Sequence, residues 1–340
     1  MTILFVLKIA GILAVLVSGG WILFSLAAGM VVYLTTLTTS HANLETGKLS
    51  GPEGNALMSA HTKDPRIMEP LNAAKARWFR NRDDGVFDLL SVVSRDGLQL
   101  SGYLWHAFGD KSRKAAQTVI LVHGMQDSAA GLGYLAEEYH TAGWDVLSTD
   151  LRSHGESEGV RRTMGFRESE DLALWVNLLV REYGVERLFL HGISMGGSTV
   201  LLYGENCRKI SGAVRGIIAD SSFSRYDETF RRLLKRVVRR DFLVRSIELG
   251  ASVSCFIRTG VTFGQMSPGT HIARVQVPLL LFHGQKDVLV PIAQVRDMLG
   301  EAMKHGAVSV VIPEAPHIGP YFYAPSLYMQ KIGEFARRST

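Results

Sequence analysis

One serine of this chain lies where its hydroxyl could act as a nucleophile. Ser194 stands between Gly192 and Gly196, directly after the apolar run at residues 188–190. A strand that enters such a G-x-S-x-G turn and leaves as a helix holds the serine in a strained corner, where small neighbours prevent backbone collisions. The corner exposes the hydroxyl and leaves the backbone N–H of Met195 at a helix N-terminus, where it could stabilise an oxyanion.

A serine hydroxyl needs a base to activate it, and the base needs a carboxylate. Asp287 follows the apolar run at residues 279–282, and His317 follows the run at residues 308–312. Imidazole can accept a serine proton near neutral pH, and the carboxylate would fix its tautomer. Asp220 also ends an apolar run and is the alternative acid, although it could instead cap the segment that follows. We favour Asp287 as the acid.

A second oxyanion donor is expected in the loop after the apolar run at residues 119–122. The chain leaves that run through a His-Gly pair, which would place the backbone N–H of Met125 near the serine. His123, His191 and His283 each follow an apolar run as well. We expect these three histidines to bond loop backbone rather than to react.

The order Ser194, Asp287, His317 is the order found in α/β hydrolases, and the chain resembles that superfamily. Residues 150–157 (DLRSHGES) are similar to the D-x-R-x-H-G-x-S segment that many members carry after the fourth strand. The resemblance covers residues 85–340 and extends to bacterial single-pass hydrolases and to the monoacylglycerol-lipase-like and serine-aminopeptidase-like branches. It implies an α/β-hydrolase fold, with a mostly parallel, doubly wound sheet and a helical cap insertion. Arg152 and His154 would brace their loop.

The order of expected elements agrees with this fold. Alternating residues 86–94 and 98–105, joined through Asp96-Gly97, predict a β-hairpin. From residue 118 onward, strand-like runs alternate with helical patterns, which predicts a parallel sheet covered by helices on both faces. Residues 222–275 interrupt the alternation and are much longer than a crossover needs, so we expect a cap there.

The cap region carries most of the excess positive charge of the chain. The net charge of the chain is +5, and residues 222–248 hold eight Lys or Arg against four acids. Apolar residues recur there at helical spacing, which predicts a basic amphipathic helix. Its charged face could be solvated, or it could contact anionic lipid headgroups. Its apolar stripe could pack on the body or line an acyl-binding cleft.

The N-terminal region predicts a membrane anchor. Residues 9–34 are 26 residues without a charge, long enough for a hydrocarbon layer of roughly 30 Å. A cleaved signal peptide, with a weak site at residues 40–42, is the alternative. Residues 35–84 would form a stalk with a short helix at 71–80. Lys8 and the amino terminus, compared with Glu45 and Lys48 beyond the span, favour a catalytic domain outside the cytoplasm.

No residue pattern indicates a cofactor. The chain has no C-x-x-C pair, no H-E-x-x-H, no P-loop and no G-x-G-x-x-G after a first strand, so we expect neither a metal nor a nucleotide. Cys207 and Cys255 give no disulfide framework, although a single bridge between them stays open. We expect no nucleic-acid partner.

These residues together predict a membrane-anchored serine hydrolase. Its substrates would be carboxylic esters of lipidic or otherwise apolar acyl groups, cleaved through an acyl-enzyme intermediate. One alternative is a serine peptidase of the proline-aminopeptidase-like type, which would need an acidic subsite such as Asp227 or Glu228. Another is a non-catalytic, α/β-hydrolase-like binding protein.

Overall fold

An eight-stranded sheet with the strand order β1-β2-β4-β3-β5-β6-β7-β8 forms the centre of the protein. The structure is a computed structural model that describes residues 2–38, 64–109, 115–204, 211–270, 272–303 and 306–339. β2 is antiparallel to β1 and β4, and every other neighbouring pair is parallel. The strands are β1 (Asp88–Val93), β2 (Gln99–Trp105), β3 (Thr118–Val122), β4 (Asp145–Thr149), β5 (Leu188–Ile193), β6 (Val214–Asp220), β7 (Leu279–Gly284) and β8 (Val308–Ile312).

Ten α-helices are described beside this sheet, and most of them follow the strand–helix alternation that the sequence predicts. Two short 3₁₀ helices, Pro268–Thr270 and Ile272–Arg274, close the cap, and a third, Ala129–Leu132, precedes α3. The α-helices are α1 (Thr2–Thr36), α2 (Pro65–Asp83), α3 (Gly133–Thr141), α4 (Phe166–Arg181), α5 (Met195–Gly204), α6 (Tyr226–Leu234), α7 (Asp241–Thr259), α8 (Ile292–Ala302), α9 (Pro320–Tyr323) and α10 (Pro325–Arg338).

The central strands are buried on both faces, which explains why they are continuous apolar runs. Every residue of β3, β5 and β7 is buried, because helices cover both sides of the parallel part of the sheet. The hairpin of β1 and β2 is the antiparallel edge predicted from residues 86–105, and Gly97 in its turn has a φ of 87°. Since parallel strands end at one edge of a sheet, the loops after β3, β5, β6, β7 and β8 meet there.

The cap differs in part from its prediction. The basic amphipathic helix covers only Tyr226–Leu234 of the basic segment at residues 222–248, and Val237 beyond its end is exposed. A second cap helix, α7, follows, which the sequence pattern did not predict. Several cap cations are paired with acids: Arg231 bonds both Asp227 and Glu248 at 2.9 and 2.7 Å. These two pairs are part-buried, and the pair with Glu248 joins α6 to α7.

The N-terminal helix α1 extends into the fold of the hydrolase body. Tyr33 and Leu37 are fully buried, and Thr38 forms an antiparallel bridge to Arg161. One window of α1, Gly19–Thr36, is long and apolar enough to cross a membrane by length and composition. The predicted boundaries at residues 34 and 84 stay predictions.

Most of the predicted stalk, with the alternative cleavage site and the flanking charges Glu45 and Lys48, lies outside the described residues. Cys207 lies outside them as well, and Cys255 is a buried free thiol of α7. The short helix expected at residues 71–80 is α2, which begins six residues earlier because Asp64 caps it and Pro65 opens it.

Candidate active site

Ser194 occupies a strained turn between β5 and α5. Its φ is 54°, in the left-handed region that a non-glycine residue seldom adopts. A Cβ atom added to Gly192 would overlap with the Gly196 carbonyl, and one added to Gly196 would overlap with the Val122 carbonyl. The Ser194 N–H donates to the Asp220 carbonyl at 2.8 Å. Both glycines are therefore needed for the close backbone passage that holds the corner.

The structure brings together the three side chains that the sequence selected. The Ser194 Oγ lies 2.9 Å from His317 Nε2, and His317 Nδ1 lies 2.7 Å from Asp287 Oδ2. The residues come from the loops after β5, β7 and β8. These strands lie in one parallel run of the sheet, β5-β6-β7-β8, so their carboxyl ends and the loops after them lie at the same edge. His317 and Asp287 are both about 5% exposed. This hydrogen-bonded chain can carry a proton from the hydroxyl to the imidazole.

The surroundings of Asp287 keep it ionised. Burial alone would raise the pKa of this carboxyl, but His317, His283 and the Val290 N–H together lower it by more, so the net pKa is lowered. Its other oxygen, Oδ1, accepts the backbone N–H groups of Leu289 and Val290 at 2.9 and 2.8 Å. These bonds fix the orientation of the carboxylate, so that Oδ2 remains available to the imidazole.

The two predicted oxyanion donors lie beside the serine. Met195 is the first residue of α5, so its N–H belongs to the first turn, whose donors have no intrahelical acceptor. Met125 lines the same cavity as Ser194. The loop that carries Met125 continues to Ala129, whose N–H donates to the buried Asp150 at 2.7 Å. Asp150, in the DLRSHGES segment, thereby ties the loop after β3, which carries Met125, to the loop after β4.

The rest of that segment braces its loop as expected. Arg152 is buried and donates two bonds to Asp171 at 2.6 and 2.7 Å, with two longer bonds to Asp96. Through these pairs, the β4 loop is joined to α4 and to the hairpin turn. His154 Nδ1 bonds the Arg152 carbonyl at 2.9 Å. Neither side chain lines the cavity beside Ser194.

An apolar cavity of about 90 Å³ opens beside Ser194. Its walls come from the cap helix α6, the loop after β3, the loop after β7 and the end of α1. The residues that line it are Val32, Thr36, Met125, Gln126, Met164, Ser194, Phe223, Tyr226, Thr229, Phe230, Leu233, Leu234, Leu289 and Val290. The apolar stripe of the predicted basic helix therefore lines the cavity. Of the two alternatives that the sequence left open for the stripe, this is the one in which it lines a cleft. The contribution of α1 was missed, because nothing in an apolar run distinguishes a wall residue from a lipid-facing one.

Two expectations about polar residues at strand ends were wrong. His191 bonds no loop backbone: its ring nitrogens face the hydroxyls of Tyr139 and Tyr328 at 3.0 and 2.9 Å. Asp220 caps no segment either, because its carboxylate accepts the Tyr328 hydroxyl at 2.9 Å and the Ser221 hydroxyl at 2.8 Å. Burial lowers the pKa of His191 to about 3 and raises the pKa of Asp220 to about 7. A buried polar network thus fills the space beneath the site.

The other two histidines behave as expected. His123 Nε2 accepts the Leu151 N–H at 3.0 Å, and His283 Nε2 lies 2.7 Å from the Val290 carbonyl. Both rings therefore bond loop backbone at the edge of the sheet.

The fold and the site together define the class of protein. A mostly parallel eight-stranded sheet with an antiparallel second strand, and a serine at the sharp turn after β5, is the α/β-hydrolase arrangement. The protein has the α/β-hydrolase fold. Residues 113–249 match the hydrolase family described as "Serine aminopeptidase, S33".

The alignments with two curated relatives each cover 64% of the chain. The chain is 29% identical over 223 residues to the uncharacterised Bacillus subtilis protein YqkD, an alignment that covers 64% of this chain and 70% of YqkD. It is 25% identical over 247 residues to the monoacylglycerol lipase of Mycolicibacterium smegmatis, covering 64% of this chain and 82% of the lipase.

Solved structures share the fold. The Pyrococcus furiosus esterase Pf2001 matches with a TM-score of 0.60 at 23% identity, over 76% of this chain and 95% of the esterase. An α/β hydrolase from Vibrio vulnificus matches with a TM-score of 0.60 at 18% identity, over 77% of this chain and 86% of that one. At these identities the similarity concerns the fold alone.

Proposed function

We propose that the protein is a membrane-anchored serine hydrolase that cleaves carboxylic esters of apolar acyl groups. The observation that carries this proposal is the hydrogen-bonded chain Ser194–His317–Asp287 beside an apolar cavity. A polar chain of this kind beside an apolar pocket suits a substrate with an apolar body and one reactive carbonyl.

In the first half of the reaction, Ser194 Oγ attacks the ester carbonyl while its proton passes to His317 Nε2. The carbonyl oxygen becomes an oxyanion, and the backbone N–H groups of Met125 and Met195 would donate to it. Loss of one such donor typically costs about 3–4 kcal/mol of transition-state stabilisation. Asp287 stabilises the imidazolium while it exists. The tetrahedral intermediate then expels the alcohol, which takes its proton from His317, and an acyl-serine ester remains.

In the second half, water replaces the alcohol. His317 Nε2 accepts a proton from the water, whose oxygen attacks the acyl-serine carbonyl. The second intermediate collapses, the proton returns from His317 to Ser194 Oγ, and the carboxylic acid leaves. No group is oxidised or reduced, so these residues and water account for the whole reaction.

The lining of the cavity supports an apolar acyl substrate. Apart from Ser194, the residues with a polar group are Thr36, Gln126, Tyr226 and Thr229, and the described residues that line it include no carboxylate, lysine, arginine or histidine. Buried aromatic and aliphatic groups bind a hydrocarbon chain through the hydrophobic effect. The similarity to a monoacylglycerol lipase supports the same substrate class.

A peptidase is the second candidate, and the family description "Serine aminopeptidase, S33" favours it. An aminopeptidase needs a carboxylate that is free to hold the substrate amine. Asp227 is paired with Arg225 and Arg231 at 2.8 and 2.9 Å, and Glu228 with Arg225 at 3.3 Å. Both acids are thus neutralised by arginines and lie outside the cavity lining, which favours the esterase.

Hydrolysis rates separate these two enzymes. We expect turnover of p-nitrophenyl esters, with rates that depend on acyl length, and little turnover of aminoacyl-naphthylamides. The reverse preference would make the protein a peptidase.

A non-catalytic binding protein is the third candidate. A fluorophosphonate probe reacts only with an activated serine, so we expect it to label the wild-type protein and not the Ser194→Ala variant. Absence of labelling in the folded wild-type protein would favour the binding protein.

We also propose that α1 anchors the protein in a membrane. Its window Gly19–Thr36 has a mean hydropathy of 1.5, and a tilted helix of this kind suits a bilayer. The membrane fraction that resists alkaline extraction should contain the protein with its N-terminus intact. If the N-terminal segment were a cleaved signal peptide, the mature protein would lack it. The charge asymmetry favours an extracytoplasmic catalytic domain, which protease added to intact cells should digest.

Contact between the exposed cap cations and anionic headgroups is part of the same proposal. Arg239, Arg240 and Arg245 are exposed on the cap. Each could contribute on the order of 1 kcal/mol of attraction near an anionic surface. Neutralising the three should weaken binding to anionic vesicles and leave binding to zwitterionic vesicles unchanged.

A further inference from the structure

One face of the last four turns of α1 packs against the hydrolase body, whereas the other face of these turns is exposed. Tyr33 and Leu37 are fully buried, and the Leu37 carbonyl accepts the Arg162 N–H at 2.9 Å. Thr38 continues this contact as a bridge to Arg161. A helix that served only as a tether would end in a free linker instead of in contacts with the loop after β4.

The cap helix α7 holds the same part of α1 at backbone contact. A Cβ added to Gly29 would overlap with the Ala251 nitrogen, and one added to Gly250 would overlap with the Ser25 carbonyl. One turn earlier, Trp21 Nε1 donates to Ser246 Oγ at 3.0 Å. The two helices are therefore parallel and in a fixed register. Small residues at the crossing let the helices approach this closely, as they do between membrane helices.

This contact between α1 and α7, which we call the clamp, sets one face of α1 against the cavity that contains Ser194. Val32 and Thr36, one turn apart, line the cavity that contains Ser194. The residue before each of them lies on the exposed face of the helix: Val31 is 60% exposed, and Thr35 is exposed as well. Phe230 and Leu233 of α6 line the same cavity. Both the cap and the N-terminal helix thus contribute to its wall.

We propose that Val32 and Thr36 of the N-terminal helix form one wall of the acyl-binding site and thereby limit the length of the acyl chain. The assignment rests on the proposed ester hydrolysis at Ser194. It makes the helix a specificity-determining element as well as an anchor. At about 90 Å³, the cavity holds roughly the volume of three water molecules. Only the first carbons of an acyl group fit, and a longer chain must pass the α1 wall.

The test compares two adjacent valines in the full-length protein in detergent. Val32→Trp would fill the cavity, whereas Val31→Trp adds the same side chain on the exposed face. The measurement is kcat/KM for p-nitrophenyl esters from acetate to dodecanoate. For Val32→Trp we expect octanoate hydrolysis to fall about tenfold or more relative to acetate, because a pocket discriminates by that factor per methylene or better. Val31→Trp should keep the wild-type profile.

A smaller side chain gives the opposite change and protects the test against misfolding. Val32→Ala should raise octanoate hydrolysis relative to acetate, and Val31→Ala should leave the ratio unchanged. Fluorophosphonate labelling of each variant reports whether Ser194 is still activated. Equal profiles for the variants at positions 31 and 32, in proteins that label normally, would overturn the assignment. A wild-type protein that hydrolyses none of the esters would instead overturn the proposed function.

The helix contact provides an independent comparison. Gly29→Val places a side chain against the α7 backbone, whereas nothing lies within 4 Å of a Cβ added to Gly20. If the clamp positions the wall, Gly29→Val should broaden the acyl-length profile and Gly20→Val should not. An unchanged profile for Gly29→Val would contradict a role of α1 in specificity.

Discussion

The hydrogen bonds of Asp287 predict a specific failure for the Asp287→Asn variant. Oδ1 accepts two backbone N–H groups, from Leu289 and Val290, while Oδ2 faces His317 Nδ1 at 2.7 Å. A carboxamide at this position must keep its oxygen toward the two backbone donors, so its NH₂ group faces the imidazole. His317 then accepts at Nδ1 and carries its proton on Nε2, which points at Ser194 and cannot accept the serine proton.

The cost of this tautomer can be estimated. The same substitution in a serine protease triad lowers kcat by roughly 10⁴-fold while the geometry stays intact. That factor corresponds to about 5 kcal/mol of transition-state stabilisation. We therefore expect kcat for p-nitrophenyl butyrate to fall by about four orders of magnitude, with KM little changed, in a protein whose circular dichroism matches the wild type.

Asp220→Asn is the matched control for this variant. Asp220 is the other buried acid at a strand end, and its described partners are the hydroxyls of Tyr328 and Ser221. Loss of one such bond should cost roughly 1–3 kcal/mol of stability, with a much smaller loss of kcat than Asp287→Asn produces. The reasoning is refuted if Asp287→Asn stays nearly as active as the wild type while Asp220→Asn loses most of its activity.

Two further predictions concern stability. Arg152→Ala should destabilise the fold by roughly 3–5 kcal/mol because it leaves the buried Asp171 unpaired. Arg77→Ala, at the exposed pair with Glu137, should cost less than about 1 kcal/mol. Urea denaturation measures both free energies of unfolding, and equal losses would contradict the argument. Burial raises the pKa of Asp220 from 3.8 to about 7, so its contribution to stability is present below pH 4 and is lost as the pH rises toward 7. Denaturation curves between pH 4 and 8 should therefore show a shallower decline for Asp220→Asn than for the wild type, and parallel declines would exclude this group as the cause.

The strands and the order of the site residues could be predicted from the sequence, because both are local signals. Central strands of a parallel sheet are buried on both faces, so β3, β5 and β7 read as uninterrupted apolar runs. Ser194 and Asp287 lie in the loops that follow two of these runs, and His317 lies in the loop after β8, whose run is only partly buried. The parallel arrangement then brings them to one edge of the sheet, and no knowledge of distant contacts is needed.

The partners of the buried polar groups could not be predicted in this way. His191 bonds Tyr139 and Tyr328, which are 52 and 137 residues away in the sequence. Which tyrosine hydroxyl reaches a given imidazole depends on how α3 and α10 pack on the sheet, and periodicity carries no information about that. The expectation of backbone bonds for His191 failed for this reason.

The position of α1 could not be predicted for a similar reason. Its apolar run indicates a helix of membrane-spanning length whether or not part of it touches protein. The contact depends on Gly29 and Gly250, which are 221 positions apart and acquire their meaning only when the two helices meet. Glycine is common in membrane helices, so neither residue stands out in the sequence.

The turn that carries Ser194 owes its shape to backbone contacts, since Gly192, Gly196 and the N–H bond to Asp220 hold it without the hydroxyl. The Ser194→Ala chain should therefore keep an intact but inert pocket. Such a protein would retain its natural ester instead of turning it over. Mass spectrometry of the lipids that copurify with it would then identify a physiological ligand without any prior guess at its chemistry.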